Sequence, residues 1–236
     1  MSYPLRVCFD GALYHITARG DNRERIFFDD TDRQQYLLLL RRYKDRFLFR
    51  LHAYALMPNH VHLILEPASG STVSRIMQCL MITYTKAFNR RHGRVGHVFQ
   101  GRFHSRLIEK DPYLLVASRY VHLNPVRAKL ALHAADYAWS SYRAYGDPAH
   151  DPLGLVDSAD VLALISLDST RQREGYCKFV EGLTENASGV SETWPNETVA
   201  GSPEFIRSIQ AQCHPSDLTA DISAPRPPNS VSDTGI

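Results

Sequence analysis

The stretch Met57-Pro58-Asn59-His60-Val61-His62-Leu63-Ile64-Leu65-Glu66 places a turn directly before a short apolar run, with two histidines one residue apart where the run begins. Pro58 and Asn59 are typical turn residues, and the apolar residues after them predict a buried strand. Because side chains two apart on a strand point to the same face, His60 and His62 project together. Such a pair can hold one divalent metal ion, and it forms half of a candidate catalytic site.

The histidine pair has three possible interpretations other than a metal-dependent catalytic site. Two histidines on one strand face are often structural, because histidine is intermediate in burial. A zinc site needs three or four ligands, and no cysteine lies near this strand. A histidine-triad nucleotide hydrolase needs a third alternating histidine, and Ile64 at that position excludes it.

The residues that can complete the site lie in a later segment with helical spacing, which Asp111 and Pro112 are well suited to begin. Tyr120 and Asn124 are four residues apart, so they share one helix face. Tyrosine offers a nucleophilic oxygen, and asparagine offers a neutral oxygen ligand to a metal. Among the tyrosines compared on predicted helices, only Tyr120 has a polar ligand four residues later.

Both of these residues also have structural interpretations. A tyrosine is commonly a core aromatic whose hydroxyl bonds to a neighbour. Asn124 precedes Pro125, and an Asn-Pro pair favours the start of a helix. Asn124 could therefore cap a separate short helix that ends near residue 132 instead of binding a metal.

Four motifs, in order along roughly residues 3–146, carry a resemblance to a known family. The motifs are His15-Ile16-Thr17-Ala18-Arg19-Gly20-Asp21-Asn22-Arg23, Met57-Pro58-Asn59-His60-Val61-His62, Phe99-Gln100-Gly101-Arg102-Phe103 and Arg119-Tyr120-Val121-His122-Leu123-Asn124-Pro125-Val126-Arg127-Ala128. Together they resemble the single-tyrosine transposases of the HUH type. Within that family they are most similar to the branch called REP-associated tyrosine transposases.

The resemblance implies a chemistry and the residues that perform it. Tyr120 would attack a phosphodiester of single-stranded DNA and form a 5′-phosphotyrosine link. His60, His62 and Asn124 would hold a divalent cation, expected to be Mg²⁺ or Mn²⁺. A cation there favours a phenolate and neutralises charge on phosphate oxygens. The expected partner is single-stranded or hairpin DNA of the REP type, read through a short single-stranded guide beside the hairpin.

The charge of the chain differs between its two parts. The whole chain has a net charge of +2, but residues 1–146 carry 22 basic and 11 acidic residues, a net +11. Residues 147–236 carry 5 basic and 14 acidic residues, a net −9. An excess of basic residues fits phosphate binding, although a solvated basic face gives the same count.

Local patterns select the candidate DNA-binding residues. One group lies in a polar loop after a predicted strand, a second alternates along a later strand, and a third flanks the tyrosine on its helix. The candidates are Arg19, Asn22, Arg23, Arg102, His104, Arg106, Arg119 and Arg127. Arginine and asparagine suit bidentate base contacts, but each of these side chains could also be merely exposed or paired locally.

The interleaving of strands and helices predicts an α+β fold with a ferredoxin-like antiparallel sheet and helices packed on it, which the resemblance also implies. The predicted strands are 13–19, 48–56, 60–66 and 103–109, and helices are predicted over 32–47, 72–91 and around Tyr120. We expect a catalytic domain over 1–146 and a short helical extension over 147–185. Residues 186–236 are expected to be a linker and a largely disordered acidic tail.

Several functional alternatives stay open from sequence. The chain could be a regulator that binds hairpin DNA without cutting it, or a metal-dependent nuclease that uses water instead of tyrosine. No signal peptide or long apolar run is evident, and the four cysteines are scattered, which predicts a cytoplasmic protein without a membrane partner. Both a monomer and a dimer are compatible with the sequence.

Overall fold

The computed structural model describes residues 9–182 and 199–212. The strands are β1 (Leu13–Arg19), β2 (Arg50–Met57), β3 (His60–Glu66), β4 (His104–Ile108) and β5 (Val199–Ala200). The helices are α1 (Asp30–Phe47), α2 (Val73–His92), α3 (Pro112–Arg127), α4 (Tyr142–Gly146), α5 (Ala159–Ala163), α6 (Ser169–Glu181) and α7 (Pro203–Gln212). The predicted tail lies largely outside the described residues, and within them no helix is long and apolar enough to cross a membrane.

The five strands form one sheet in the order β2-β3-β1-β4-β5. β1 pairs antiparallel with β3 and β4, and β2 pairs antiparallel with β3. The chain order β1-α1-β2-β3-α2-β4 with this strand order is the ferredoxin-like arrangement. The predicted α+β fold is therefore confirmed, and β5 adds a short parallel strand beside β4.

Alternation along the strands gives the sheet two different faces. One face packs against α1 and α2 through residues such as Ile16 and Leu63. The other packs against α3 and the helices that follow it through Leu13, Ala55 and Ile64. We call this second side the histidine face; the side chains that project from it include His15, Thr17, His60, His62, His104 and Arg106.

The helix starts differ from the predicted ones by one or two residues. α1 begins at Asp30 instead of residue 32, because Asp29 caps it and its carboxylate accepts a hydrogen bond from the backbone N–H of Asp32. α2 begins at Val73 instead of residue 72, because Thr72 is its cap. Where several capping residues stand side by side, sequence does not decide which of them adopts the extended backbone of a cap.

The predicted helix break at Pro125 is wrong, because α3 continues through Pro125 to Arg127. A proline late in a helix removes one backbone donor, and the following turn still closes by a 2.9 Å hydrogen bond from Ala128 N to Asn124 O. The chain leaves the helix at Lys129, which has a positive φ of 57°. Asn124 is therefore a residue of the helix interior and does not cap a second helix.

The segment after α3 covers the outer edge of β2. An exposed strand edge presents unpaired backbone groups, and here the chain's own backbone supplies the partners. The bonds run from Leu56 N to Trp139 O, from Ser141 N to Tyr54 O and from Asp157 N to Leu51 O. The extension predicted to be helical over 147–185 contains α5 and α6, and Val199–Ala200, predicted as linker, forms β5. The domain boundary after residue 146 stays a prediction.

Candidate active site

His60 and His62 lie at the start of β3, between β2 and β1 in the sheet. Their rings are 4.9 Å apart between centroids and nearly perpendicular, at 81°. His62 is buried and His60 is half-buried. The pair thus projects from an interior strand at the end of the sheet where β1 finishes, which gives both rings a rigid backbone.

Each of these imidazoles has a defined partner at Nδ1. His60 Nδ1 lies 2.7 Å from Asn59 Oδ1, while Asn59 Nδ2 donates to the carbonyl of Arg23 at 3.0 Å. His62 Nδ1 lies 2.9 Å from His15 Nε2 and 3.3 Å from Thr17 Oγ1. Among the described residues, neither histidine makes a hydrogen bond through Nε2, so this nitrogen is available as a ligand in both.

Burial keeps both imidazoles in the neutral form that binds metals. Burial, with a smaller effect from the nearby Arg19 guanidinium, lowers the pKa of His60 to about 4. Burial also holds the pKa of His62 well below its ordinary value, and His15, His60 and Arg19 contribute in the same direction. At neutral pH the two rings therefore carry no charge and each offers a lone pair.

Tyr120 lies against His62 in the same chain. Its ring is edge-on to the ring of His62 at 5.9 Å and to the ring of His15 at 5.6 Å between centroids. The guanidinium of Arg127, about two turns further along α3, sits over the Tyr120 ring at 5.1 Å. The helix is held there because Ala117 and neighbouring apolar residues pack on the histidine face.

Asn124 lies one turn after Tyr120 and is half-buried. Its Nδ2 donates a 2.8 Å hydrogen bond to the backbone carbonyl of Tyr120. Because the amide nitrogen is engaged, the amide oxygen is the atom of Asn124 that is left to act as a ligand. Tyr120 and Asn124 thus share the helix face that the spacing predicted.

The loop that follows β1 is packed against the turn that carries the histidine pair. Gly20 N donates to Asn59 O at 2.8 Å, and a Cβ at position 20 would collide with the carbonyl of Glu24, so only glycine fits. Asn22 and Arg23 follow with positive φ, and both are exposed, as is Arg19. These three candidate DNA-binding side chains therefore stand at the same end of the sheet as His60.

The sequence of the first half of the chain matches a family model. The model describes IS200-like transposases and covers residues 8–124, which include His60, His62, Tyr120 and Asn124. The chain belongs to the IS200-like transposase family.

Solved structures give a likeness at the level of fold. This transposase is similar to a structure described as a REP-associated tyrosine transposase bound to a REP hairpin, with a TM-score of 0.54, 20% identity and coverage of 65% of this chain and 90% of that one. A protein described as a transposase from Deinococcus radiodurans R1 matches with a TM-score of 0.36 and 14% identity, over 55% of this chain and 92% of that one. Among curated proteins there is no significant match.

The remaining candidate DNA-binding residues of the transposase fall into two groups. His104 and Arg106 lie on β4 and face the same side as the histidine pair, opposite Thr17 and His15. Arg102 is exposed but precedes the strand, so the predicted alternation begins only at His104.

Arg119 is placed unlike the other candidates. Its side chain is 7% exposed, and the guanidinium lies over the ring of Phe179 in α6 at 4.6 Å. This packing on α6 disfavours a contact of Arg119 with DNA and favours the alternative that it is paired locally. Arg127, by contrast, is exposed.

A second cluster of ligand-type atoms lies at the opposite end of the sheet. Ligand atoms of His52, Glu66 and Asp160 all lie within 4.8 Å of one another, a spacing that can hold a metal ion. Two basic side chains already pair with the carboxylates. Lys110 Nζ lies 2.9 Å from Glu66 Oε1, and Arg50 Nη2 lies 2.6 Å from Asp160 Oδ2. These ion pairs balance the acidic charge, which makes the cluster a poorer cation site than the histidine pair.

Sequence reasoning missed three residues that contact the histidine pair. Asn59 was assigned only to the turn, and Thr17 and His15 were quoted only as parts of the first motif. Their alternation places His15 and Thr17 on one face of β1. The sequence does not show that β1 lies beside β3, so their contact with His62 follows only from the strand order.

Proposed function

We propose that this transposase cuts and rejoins single-stranded DNA at hairpin sequences through a covalent link to Tyr120. One observation carries the proposal. The Tyr120 ring lies edge-on to His62, 5.9 Å away, within one chain, while Nε2 of His60 and of His62 is left without a hydrogen bond by the described residues. The ring that carries the proposed nucleophile thus lies beside one of the two imidazoles proposed to bind the metal, which supports a shared site.

The proposed step is a transesterification. Tyr120 Oη attacks the phosphorus of a phosphodiester, and its proton is lost as the P–Oη bond forms. The bond from phosphorus to the 3′-oxygen breaks, and that oxygen takes up a proton and leaves as a 3′-hydroxyl. The 5′-phosphotyrosine keeps the ester, so a 3′-hydroxyl can reverse the step without ATP. The protein contributes mainly position, by fixing α3 against the sheet.

The donor set fits a divalent cation. His60 and His62 provide two neutral nitrogens and Asn124 an amide oxygen, which leaves coordination positions open for phosphate oxygens and water. Mg²⁺ or Mn²⁺ is the expected ion. When bound, such an ion supplies positive charge that favours a phenolate and offsets charge on the phosphate.

The proposed DNA surface surrounds this site. Arg19, Asn22 and Arg23 are exposed at the same end of the sheet as the histidine pair, which supports a role for them in reading a short single-stranded guide. Arg102, His104, Arg106 and Arg127 are proposed to contact the hairpin and its phosphates. The structural relative bound to a REP hairpin supports hairpin DNA as the partner. Arg119 is left out, because it is packed on Phe179.

The test uses the full-length chain and labelled hairpin oligonucleotides with single-stranded flanks, with and without Mn²⁺. Denaturing gels should show a protein–DNA adduct that depends on metal, and mass spectrometry should place it on Tyr120. Tyr120→Phe should abolish the adduct. Tyr113→Phe, the matched change on the same helix, should retain it.

The other outcomes separate the competing functions. Cleavage that persists in Tyr120→Phe and leaves no adduct would indicate a nuclease that uses water. Tight binding without cleavage in Mn²⁺ would indicate a regulator. If His52→Gln were inactive and His60→Gln active, the metal would have to be assigned to the cluster of His52, Glu66 and Asp160 at the other end of the sheet.

A further inference from the structure

His15 is buried, with 6% of its surface exposed. It lies on β1, opposite Ile64 of β3 and Arg106 of β4, and its row neighbour on the same strand face is Leu13. Burying an imidazole instead of an aliphatic side chain costs free energy unless its nitrogens are hydrogen-bonded. The contact that His15 Nε2 makes here is with Nδ1 of His62.

The geometry of this contact is well defined. The two rings lie edge to edge and nearly parallel, with centroids 5.2 Å apart, an angle of 11° between their planes, and the two nitrogens 2.9 Å apart. Thr17 Oγ1 also approaches His62 Nδ1, but at 3.3 Å, which is beyond the usual range of hydrogen-bond lengths. His15 is therefore the closer partner of this nitrogen.

The direction of the hydrogen bond decides whether His62 can bind a metal. A neutral imidazole has one protonated nitrogen and one lone pair. If His15 donates, the proton of His62 must sit on Nε2, and its outer nitrogen cannot ligate. If His62 donates from Nδ1, its Nε2 keeps the lone pair. Only the second arrangement is compatible with a metal held by His62.

We propose that His15 is a positioning residue that accepts the Nδ1 proton of His62 and thereby presents the Nε2 lone pair of His62 to the metal. The inference rests on the proposed function, since it takes His62 as a metal ligand. His15 also borders the nucleophile, because the Tyr120 ring is edge-on to it at 5.6 Å. One side chain thus fixes the orientation of a ligand and forms part of the surface against which the tyrosine rests. Partners of this kind change metal affinity by about 10–100-fold when they are removed.

The first test observes the unaltered chain, and a substitution serves only to assign its signals. The full-length chain, labelled with ¹⁵N-histidine and kept in metal-free, mildly alkaline buffer, is observed by long-range ¹H–¹⁵N NMR. His62, assigned by the signal missing in His62→Gln, should be protonated at Nδ1, and His15 should be unprotonated at Nε2. The opposite pattern at the two residues would overturn the proposal.

The second test measures Mn²⁺ affinity of the DNA-free chain by electron paramagnetic resonance of the free ion. His15→Leu should weaken binding by about 10–100-fold. His15→Gln, which keeps an acceptor near the same place, should recover most of that loss. Thr17→Val and His52→Gln should change the affinity by less than about 3-fold, because the first removes only a long contact and the second lies at the other cluster.

The outcomes distinguish this inference from the proposed function. Mn²⁺ binding by His15→Leu equal to the unaltered chain would overturn the role of His15 and leave the function intact. A loss in His15→Gln as large as in His15→Leu would show that packing alone is at work, which also overturns it. Mn²⁺ binding that is unchanged in both His60→Gln and His62→Gln would instead overturn the proposed metal site.

Discussion

The histidine pair and the network around His122 both lie on the histidine face, and they differ in one respect. His60 and His62 are bonded only at Nδ1, as far as the described residues go, whereas His122 of α3 is bonded at both nitrogens. Its Nδ1 lies 2.7 Å from Tyr176 Oη and its Nε2 lies 2.7 Å from Ser141 Oγ. Burial lowers the pKa in both groups, to about 3 for His122 and about 4 for His60.

The comparison shows that burial and a lowered pKa do not by themselves mark a functional histidine. The group around His122 is a closed network, in which the Tyr176 hydroxyl donates to Ser118 and the Ser118 hydroxyl donates to the carbonyl of Leu115. It ties α3 to α6 and so helps to hold Tyr120 in place. Within the described part of the chain, the histidine pair instead leaves Nε2 of each ring without a hydrogen bond, and a metal requires such an open nitrogen.

The largest expected effect is a loss of DNA-adduct formation when a member of the histidine pair is replaced. His62→Gln should reduce adduct formation by more than about 100-fold, since removal of a direct ligand should exceed the effect of removing its supporting partner. The unfolding free energy should fall only modestly, because a polar partner for His15 is kept. Adduct yield in Mn²⁺ and urea unfolding measure the two effects. An active His62→Gln chain would contradict the assignment.

The second effect is on stability. His122→Leu should lower the unfolding free energy by about 2–4 kcal/mol, because it removes one hydrogen-bond partner from each of the buried hydroxyls of Tyr176 and Ser141. Mn²⁺ affinity of the folded fraction should be unchanged. Urea unfolding and Mn²⁺ titration of the same preparation provide the two measurements. If His122→Leu lost as much Mn²⁺ affinity as His62→Gln, the proposed difference between the two groups would be wrong.

The third effect concerns pH. His122 has a pKa near 3 when folded and an ordinary value of 6.5, so the unfolded chain binds more protons between these values. Stability should therefore be full above pH 6.5 and fall as the pH drops toward about 3. His15 and His60 shift in the same direction and steepen the fall. In His122→Leu the fall should be shallower, which urea unfolding at a series of pH values would reveal.

The smallest effect compares two arginines of α3. Arg127→Gln should weaken hairpin binding by a few fold. The slope of log affinity against log salt concentration should become shallower by about 1, as expected for one lost phosphate contact. Arg119→Gln should leave the salt dependence unchanged, because its guanidinium is packed on Phe179. Filter binding over a range of salt concentrations measures both. The reverse result would mean that the buried arginine contacts DNA.

Much of the fold could be predicted because its signals are local. The strands β1 and β3 begin and end where alternation and turn residues place them, and the histidine pair lies on one face because the period of a strand is two. The pairing of Tyr120 with Asn124 on one helix face follows in the same way from helical spacing. Pro125 misled the prediction, since a proline signal is weaker near the end of a helix that tertiary packing holds in place.

The sequence by itself determined which side chains share a strand face or a helix face, because those relations depend only on backbone periodicity. Only the tertiary structure decided that His15 lies beside His62, that Arg119 is covered by α6, and that His122 is closed by Tyr176 and Ser141. Each of these contacts joins segments far apart in the chain. They depend on strand order and on how helices dock, which follow from the packing of the whole core and not from any local pattern.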